Sequence, residues 1–81
     1  MTETTRSMDH RWMERRLSEV GISFVSESTD FPPFELDLYL PEWHLCIEID
    51  GPYHGPKRDG RRDRFLMERY ALPTLRIKTT V

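Results

Sequence analysis

The chain has very little cysteine and no long hydrophobic run. Cys46 is its only cysteine among 81 residues, which excludes an intrachain disulfide and a zinc site built from several cysteines. No apolar stretch approaches the ~18–20 residues that a membrane-spanning helix needs. The first ten residues, MTETTRSMDH, also lack the apolar core of an export signal. We therefore expect a protein of a reducing cytoplasm with no membrane partner.

The small size and the uneven charge limit what the protein can do. We expect residues 1–81 to form a single domain with residues 1–6 as a flexible lead, and a chain of this length buries only roughly 60% of its unfolded surface. Any active site must then be a shallow cleft. The net charge is −2, but basic residues are concentrated in the segments HRWMERR and KRDGRRDR. Such local basic patches favour contact with a phosphate backbone.

Hydrophobic patterning and turn residues predict an α/β (α+β) domain. Ser7 can cap a first helix whose apolar stripe includes Met13, Leu17 and Val20, and Gly21 can end it. A strand, a helix and a further strand at the end of the chain predict a parallel pair in a mixed sheet. The predicted order is α-β-β-β-α-β, with helices over 8–20 and 59–72, a loop over 28–33 and strands over 22–26, 34–40, 45–50 and 74–81.

The last two elements should pack on the rest of the domain. Asp59 can cap the second helix, and Met67 lies on the helix face that should point toward the sheet. In the last strand, Leu75 and Ile77 should face inward.

The two central strands bring carboxylates together. Both alternate between apolar and polar residues, so the leucines and isoleucines of the two strands should all face one core. The short connection between the strands suits an antiparallel hairpin. A two-residue loop at Glu42-Trp43 places Asp37 directly opposite Glu48, and shifted registers place it opposite Cys46 or Asp50. Like charges across a sheet are destabilising, so this arrangement requires a reason.

One reason is a hard divalent cation, Mg²⁺ or Mn²⁺, bound by the oxygens of Asp37, Glu48 and Asp50. The alternative is an ordinary solvated sheet face with surface acids. His54 favours the metal, because it follows the second of these strands and has an unperturbed pKa suited to a general base.

Two further acids and a group of basic residues complete the candidate site. Glu14 lies beside the apolar stripe of the first helix, where it is either a surface residue paired with His10 or Arg11, or part of the site. Asp63 shares a helix face with apolar residues and should point toward the sheet. Basic residues at the start of the second helix are either solvated or form a phosphate cradle for a nucleic acid. They are Lys57, Arg58, Arg61, Arg62 and Arg64.

Together these residues resemble the PD-(D/E)xK nuclease superfamily, in the branch of the very short patch repair endonucleases and related phage homing endonucleases. That branch has a signature of Glu, Asp, any residue, His and Asp. Here MERRLSEVG supplies Glu14, ELDLYLPEWHLCIEIDGPYH supplies Asp37, Ile49 and His54, and RRDRFLMER supplies Asp63. The resemblance spans residues 13–77.

The resemblance implies a restriction-endonuclease-like fold and specific roles for these residues. Asp37 and the main-chain carbonyl of Ile49 would ligate Mg²⁺, and His54 would activate the attacking water. Glu14 and Asp63 would position metal-bound waters or hold the histidine. The wider superfamily carries an E-x-K pattern where this chain has Glu48-Ile49-Asp50, which favours the histidine-based branch.

The activity expected from the residues and the resemblance is metal-dependent hydrolysis of DNA phosphodiester bonds. DNA is the expected partner, in the cytoplasm of a bacterium or a phage-infected cell, with a homodimer or a separate DNA-recognition module supplying further contacts. Two alternatives remain. One is a catalytically inactive DNA-binding or assembly factor on a nuclease fold, and the other is a structure-specific nuclease for junctions or RNA.

Overall fold

A computed structural model describes residues 8–50 and 56–78, with the side chains of 56–58 outside the description. Two helices and a four-stranded mixed sheet follow one another in the predicted order α-β-β-β-α-β. In chain order they are α1 (Met8–Glu19), β1 (Val25–Phe31), β2 (Phe34–Leu40), β3 (Leu45–Asp50), α2 (Pro56–Tyr70) and β4 (Thr74–Lys78). Within these ranges, neither helix has the length and apolar character needed to cross a membrane.

The helix α1 ends where the sequence predicts. Gly21 adopts a positive φ of 79°, and its N–H donates to the carbonyl of Ser18 at 3.1 Å. The N–H of Ile22 donates to the carbonyl of Leu17 at 2.9 Å, which completes a Schellman cap. Leu17 is buried, but Val20 is exposed because it lies in the terminating turn, so its predicted place in the apolar stripe is wrong.

The sheet has the strand order β1-β2-β3-β4. The pairs β1–β2 and β2–β3 are antiparallel, and β3–β4 is parallel with α2 as the crossover. In the β2–β3 hairpin, Leu38 pairs with Ile47 and Leu40 with Leu45. This is the predicted register, in which position 37 of β2 faces position 48 of β3.

The first strand lies later in the sequence than predicted. It occupies Val25–Phe31 rather than residues 22–26, so the expected loop over 28–33 shrinks to Pro32 and Pro33, which are joined by a cis peptide bond. The polar sequence of β1 concealed it, because an edge strand needs only part of one face buried. Ser28, for example, is buried and pairs with Leu36.

Both faces of the sheet carry a hydrophobic core, whereas the alternation had suggested one. On one face α1 contributes Leu17, which packs with Leu38 and Ile47. On the other face α2 contributes Leu66, which packs with Leu36 and Cys46. The residues of β2 thus change core between positions 36 and 38, so the prediction that all its leucines share one face is wrong.

Two smaller predictions of burial also fail. Leu75 was expected to face inward but is 50% exposed, because β4 forms the outer edge of the sheet. Met67 was expected on the inner face of α2 but is 51% exposed. The helix itself begins at Pro56, three residues before the predicted cap Asp59, since proline suits the first helical position.

Candidate active site

The β2–β3 hairpin ends in an exchange of hydrogen bonds between side chains and main chain. The N–H of Asp37 donates to Glu48 Oε2 at 3.0 Å, and the N–H of Ile49 donates to Asp37 Oδ2 at 2.9 Å. These bonds extend the pairing past Leu38 and Ile47. Each carboxylate accepts a main-chain N–H, and this reduces the penalty of placing two acids at one strand end.

Glu48 is buried within this arrangement and has a positively charged partner. It is 6% exposed, and its Oε2 accepts a hydrogen bond from a terminal nitrogen of Arg62 at 3.0 Å. Burial raises the pKa of Glu48, and the charge of Asp37 raises it further, while the Asp37 N–H and Arg62 oppose the shift. The ionised form of Glu48 is therefore held at a cost in stability.

The neighbouring Cys46 is a structural residue. Its thiol lies 3.4 Å from Glu48 Oε2, and burial together with the Glu48 charge raises its pKa to about 12. A thiol with such a high pKa stays protonated at neutral pH and is a poor nucleophile.

A second group of acids surrounds Arg76 on β4. Its guanidinium donates to Asp50 Oδ1 at 2.9 Å and makes a two-pronged contact with Asp63 at 2.7 and 2.8 Å. Asp59 Oδ2 lies 3.6 Å from the same group. The hydrogen bond to Asp63, followed by that to Asp50, raises the pKa of Arg76, so the guanidinium remains charged.

We call the five carboxylates of these two groups the acidic cluster: Asp37, Glu48, Asp50, Asp59 and Asp63. The guanidiniums of Arg62 and Arg76 contact the cluster and bridge several of its acids. Within residues 8–50 and 56–78, no three Asp, Glu, His or Cys side chains converge as ligands of one metal ion. The ligand assignments made from the sequence stay predictions.

Glu14 approaches the sheet from the other side. Its carboxylate accepts a hydrogen bond from the hydroxyl of Ser26, and its Oε2 lies 3.3 Å from Nε2 of the buried His10. This joins α1 to β1 and agrees with the pairing to His10 considered from the sequence. Because the cores of α1 and α2 lie on opposite faces, Glu14 and Asp63 reach the sheet from opposite faces.

The predicted phosphate-binding residues do not all lie at the surface. Arg61 and Arg64 are exposed, whereas Arg62 is partly buried. Arg62 donates to the main-chain carbonyl of Glu35 at 2.8 Å as well as to Glu48. The helical spacing of Arg62 from Leu66 places it on the inner face of α2, so it differs from the exposed phosphate contact that we expected.

His54 and the side chains of Lys57 and Arg58 lie outside the described residues. The histidine of the hairpin turn, His44, has a structural role instead. Its Nδ1 lies 2.9 Å from the hydroxyl of Tyr39, and its Nε2 lies 2.9 Å from the carbonyl of Tyr70. The first bond connects the β2–β3 turn to β2, and the second connects it to the end of α2.

A shallow groove of about 500 Å³ adjoins the acidic cluster on the side of α2. This matches the expectation that a chain of this length can form only an open cleft. The groove is lined by Phe34, Asp59, Arg61, Arg62 and Phe65. Asp59 and Arg62 thus belong both to the groove and to the ion-paired interior.

Arg76 is the main residue that the sequence reasoning missed. It sits between Leu75 and Ile77 in β4, and its Cα pairs with that of Glu48 in β3. Strand alternation places it on the face opposite Ile77, which packs on the α1 side. That alternation was a sufficient signal to place a positive charge beneath α2, next to the acids of β3.

Comparison with known proteins shows a similarity in fold. No protein-family model matches the chain, and no curated protein matches it. Among solved structures, the catalytic domain of the homing endonuclease I-Bth0305I superposes with a TM-score of 0.73 at 20% sequence identity. The match covers 90% of this chain and 76% of that domain. The chain therefore shares its fold with the catalytic domain of a homing endonuclease.

Proposed function

We propose that this chain is a metal-dependent DNA endonuclease that hydrolyses phosphodiester bonds. The observation that supports it best is the hydrogen-bond exchange of Asp37 and Glu48 at the end of the β2–β3 hairpin. Like-charged neighbours of this kind weaken a sheet, so their presence suggests a function that offsets this cost. The similarity in fold to a homing endonuclease catalytic domain makes nucleic-acid cleavage the most direct use.

The oxygen atoms of Asp37 and its neighbours fit the ligand preference of a hard divalent cation. The Ile49 N–H points toward Asp37, and the N–H and C=O of one strand residue point to the same side. The Ile49 carbonyl is therefore directed to the side of β3 on which Asp37 lies. A carboxylate and a main-chain carbonyl are oxygen ligands of the type that Mg²⁺ or Mn²⁺ prefers, with Glu48 as the alternative second ligand. A bound cation would polarise the phosphate and stabilise the developing negative charge.

The remaining residues would transfer protons, position the reacting groups and bind the DNA. His54 would remove a proton from the attacking water, with Glu14 and Asp63 positioning water or the histidine. Arg76 holds the carboxylates of Asp63 and Asp50 in fixed orientations. Exposed arginines at the start of α2 would contact phosphates on either side of the bond that is cut.

The proposal is tested by plasmid cleavage. Purified protein is incubated with supercoiled plasmid in Mg²⁺ or in EDTA, as wild type and as Asp37→Asn. The asparagine keeps a side-chain oxygen that can accept the Ile49 N–H, so the fold should persist while the charge is lost. Glu42→Gln is the matched control, because it removes an exposed acid from the turn of the same hairpin. Full activity of Asp37→Asn would exclude the metal assignment.

A specific observation supports a second function, that of a DNA-binding or assembly factor without catalysis. Arg62 and Arg76 form ion pairs with Glu48, Asp50 and Asp63. A metal ion would have to compete with these two arginines for the carboxylates. Stable DNA binding with no cleavage of plasmid in either Mg²⁺ or Mn²⁺ would favour this function. Parallel assays with a four-way junction and with RNA would separate the junction or RNA nuclease from the DNA endonuclease.

A further inference from the structure

Two phenylalanine rings form part of the groove beside α2. Phe34 and Phe65 meet edge to face, with ring centroids 5.6 Å apart and an angle of 75° between the ring planes. Phe65 is 39% exposed, although a phenyl side chain gains more by full burial. The groove volume of about 500 Å³ lies within the usual range for sites that bind small ligands.

A fixed guanidinium supplies another flat surface in the groove. The guanidinium carbon of Arg62 lies 5.2 Å from the centroid of the Phe34 ring. Its bonds to the Glu35 carbonyl and to Glu48 hold it in place. Arginine planes and aromatic rings are the two surfaces on which proteins stack unpaired bases. Arg62 also connects the groove directly to the acidic cluster.

The charges in the groove suit a base with an adjoining phosphate better than a phosphate alone. Arg61 is exposed at the groove and carries a positive charge that can contact a DNA backbone. Asp59 also lines the groove, and its carboxylate repels a phosphate but can accept a hydrogen bond from the amino group of a base.

From these contacts we propose that the groove binds one unpaired nucleobase of a DNA strand. The base would stack against Phe65 and the Arg62 plane, while Arg61 contacts the neighbouring phosphate. The strand would then continue toward Glu48, which Arg62 bonds directly. This inference rests on the proposed action on DNA and adds a substrate preference to it. The protein should favour DNA with a bulged or unpaired nucleotide over a fully paired duplex.

The test measures binding in EDTA, so that the result does not depend on cleavage. A duplex with a single bulged 2-aminopurine and the same duplex fully paired are titrated with protein, and fluorescence anisotropy gives the affinity for each. Phe65→Ala removes the stacking surface, and Phe65→Leu keeps an apolar side chain without a ring. Met67→Ala is the control, because Met67 is an exposed apolar residue on the same helix but does not line the groove. Circular dichroism verifies that each variant is folded.

We expect wild type and Met67→Ala to bind the bulged duplex more tightly than the paired one. Phe65→Ala should lose about 5- to 150-fold in affinity for the bulged duplex, and its affinity for the paired duplex should change little. Phe65→Leu should lose most of the same preference. Equal affinity of wild type for the two duplexes, or an equal loss for both in Phe65→Ala, would overturn the proposal.

The outcome is separable from a failure of the nuclease proposal. If the protein prefers the bulged duplex through Phe65 but cuts no plasmid, the base-binding groove is supported and the catalytic proposal is excluded. If the protein cuts plasmid in Mg²⁺ but Phe65→Ala leaves the binding preference unchanged, the catalytic proposal is supported and the base-binding groove is excluded.

Discussion

Replacing Arg76 with methionine should destabilise the fold strongly, even though Arg76 lies on the edge strand β4. Its guanidinium contacts Asp50, Asp59 and Asp63 and is the positive partner shared by these acids. Methionine retains much of the side-chain volume but no charge. The variant would remove the guanidinium that contacts the Asp50 carboxylate, whose side chain is 8% exposed.

The size of the effect follows from burial. Removing one partner of a buried ion pair typically costs about 3–5 kcal/mol, because the remaining charge stays desolvated. The side chain of Arg76 is 19% exposed and that of Asp63 is 32% exposed, so water partly solvates this part of the cluster. We therefore expect a loss near the lower limit, about 3 kcal/mol. A domain of 81 residues has a total stability of roughly 4–12 kcal/mol, so the loss is a large share of it.

The assay is urea unfolding followed by far-UV circular dichroism. Lys78→Met is the matched control, since Lys78 is an exposed basic residue on the same strand. In the double variant Arg76→Met with Asp50→Asn, part of the lost stability should return, because the buried negative charge that Arg76 offsets is also removed. A loss for Arg76→Met that stays within about 1 kcal/mol of the control would refute the reasoning, since it would mean that water compensates the acids.

Three further predictions concern pH, catalysis and DNA binding. Burial raises the pKa of Glu48 in the folded state, so its ionisation costs stability as pH rises from about 4.5 toward neutrality. Glu48→Gln should remove this part of the pH dependence of the free energy of unfolding, and a variant whose stability falls with pH as steeply as that of wild type in urea titrations would contradict this. His54→Ala should slow single-turnover cleavage by about 10²- to 10⁴-fold without weakening DNA binding, and a parallel loss of binding would make His54 a contact residue. Replacing both Arg61 and Arg64 with glutamine should weaken binding to all DNA sequences. The slope of the logarithm of the binding constant against the logarithm of salt concentration should become shallower by roughly one unit per lost contact, and an unchanged slope would exclude the two arginines as phosphate contacts.

Much of the fold follows from local sequence rules. The strict alternation over Phe34–Leu40 and Leu45–Asp50 determined both strands and their register, and Gly21 marked the end of α1. Local rules failed where burial is partial. The polar strand β1 is defined by its partner β2 rather than by its own pattern, and the second core face under α2 appears only when the whole sheet is assembled.

The sequence predicted which acids lie close together but not which basic residues contact them. Alternation placed Asp37 and Glu48 at matching positions, and the structure brings them together. The alternation of β2 and β3 does not say which cations approach these acids, because that depends on the packing of α2 and β4 on the same face; for Arg76 the signal lay in the alternation of β4. Arg62 was expected at the surface and instead bonds Glu48, while Arg76 was assigned no role and contacts three acids of the cluster.

The parallel pairing of β4 with β3 has a consequence for the order of folding. The strands β1, β2 and β3 are joined by short turns, so their pairing closes only small loops of chain. The strand β4 can join only after α2 has crossed the sheet, which requires contacts between residues far apart in sequence. We expect the three-stranded meander to form first, with Asp50 still hydrated. Arg76 arrives with the last strand, so the acids become desolvated only in the step that also delivers their counter-charge.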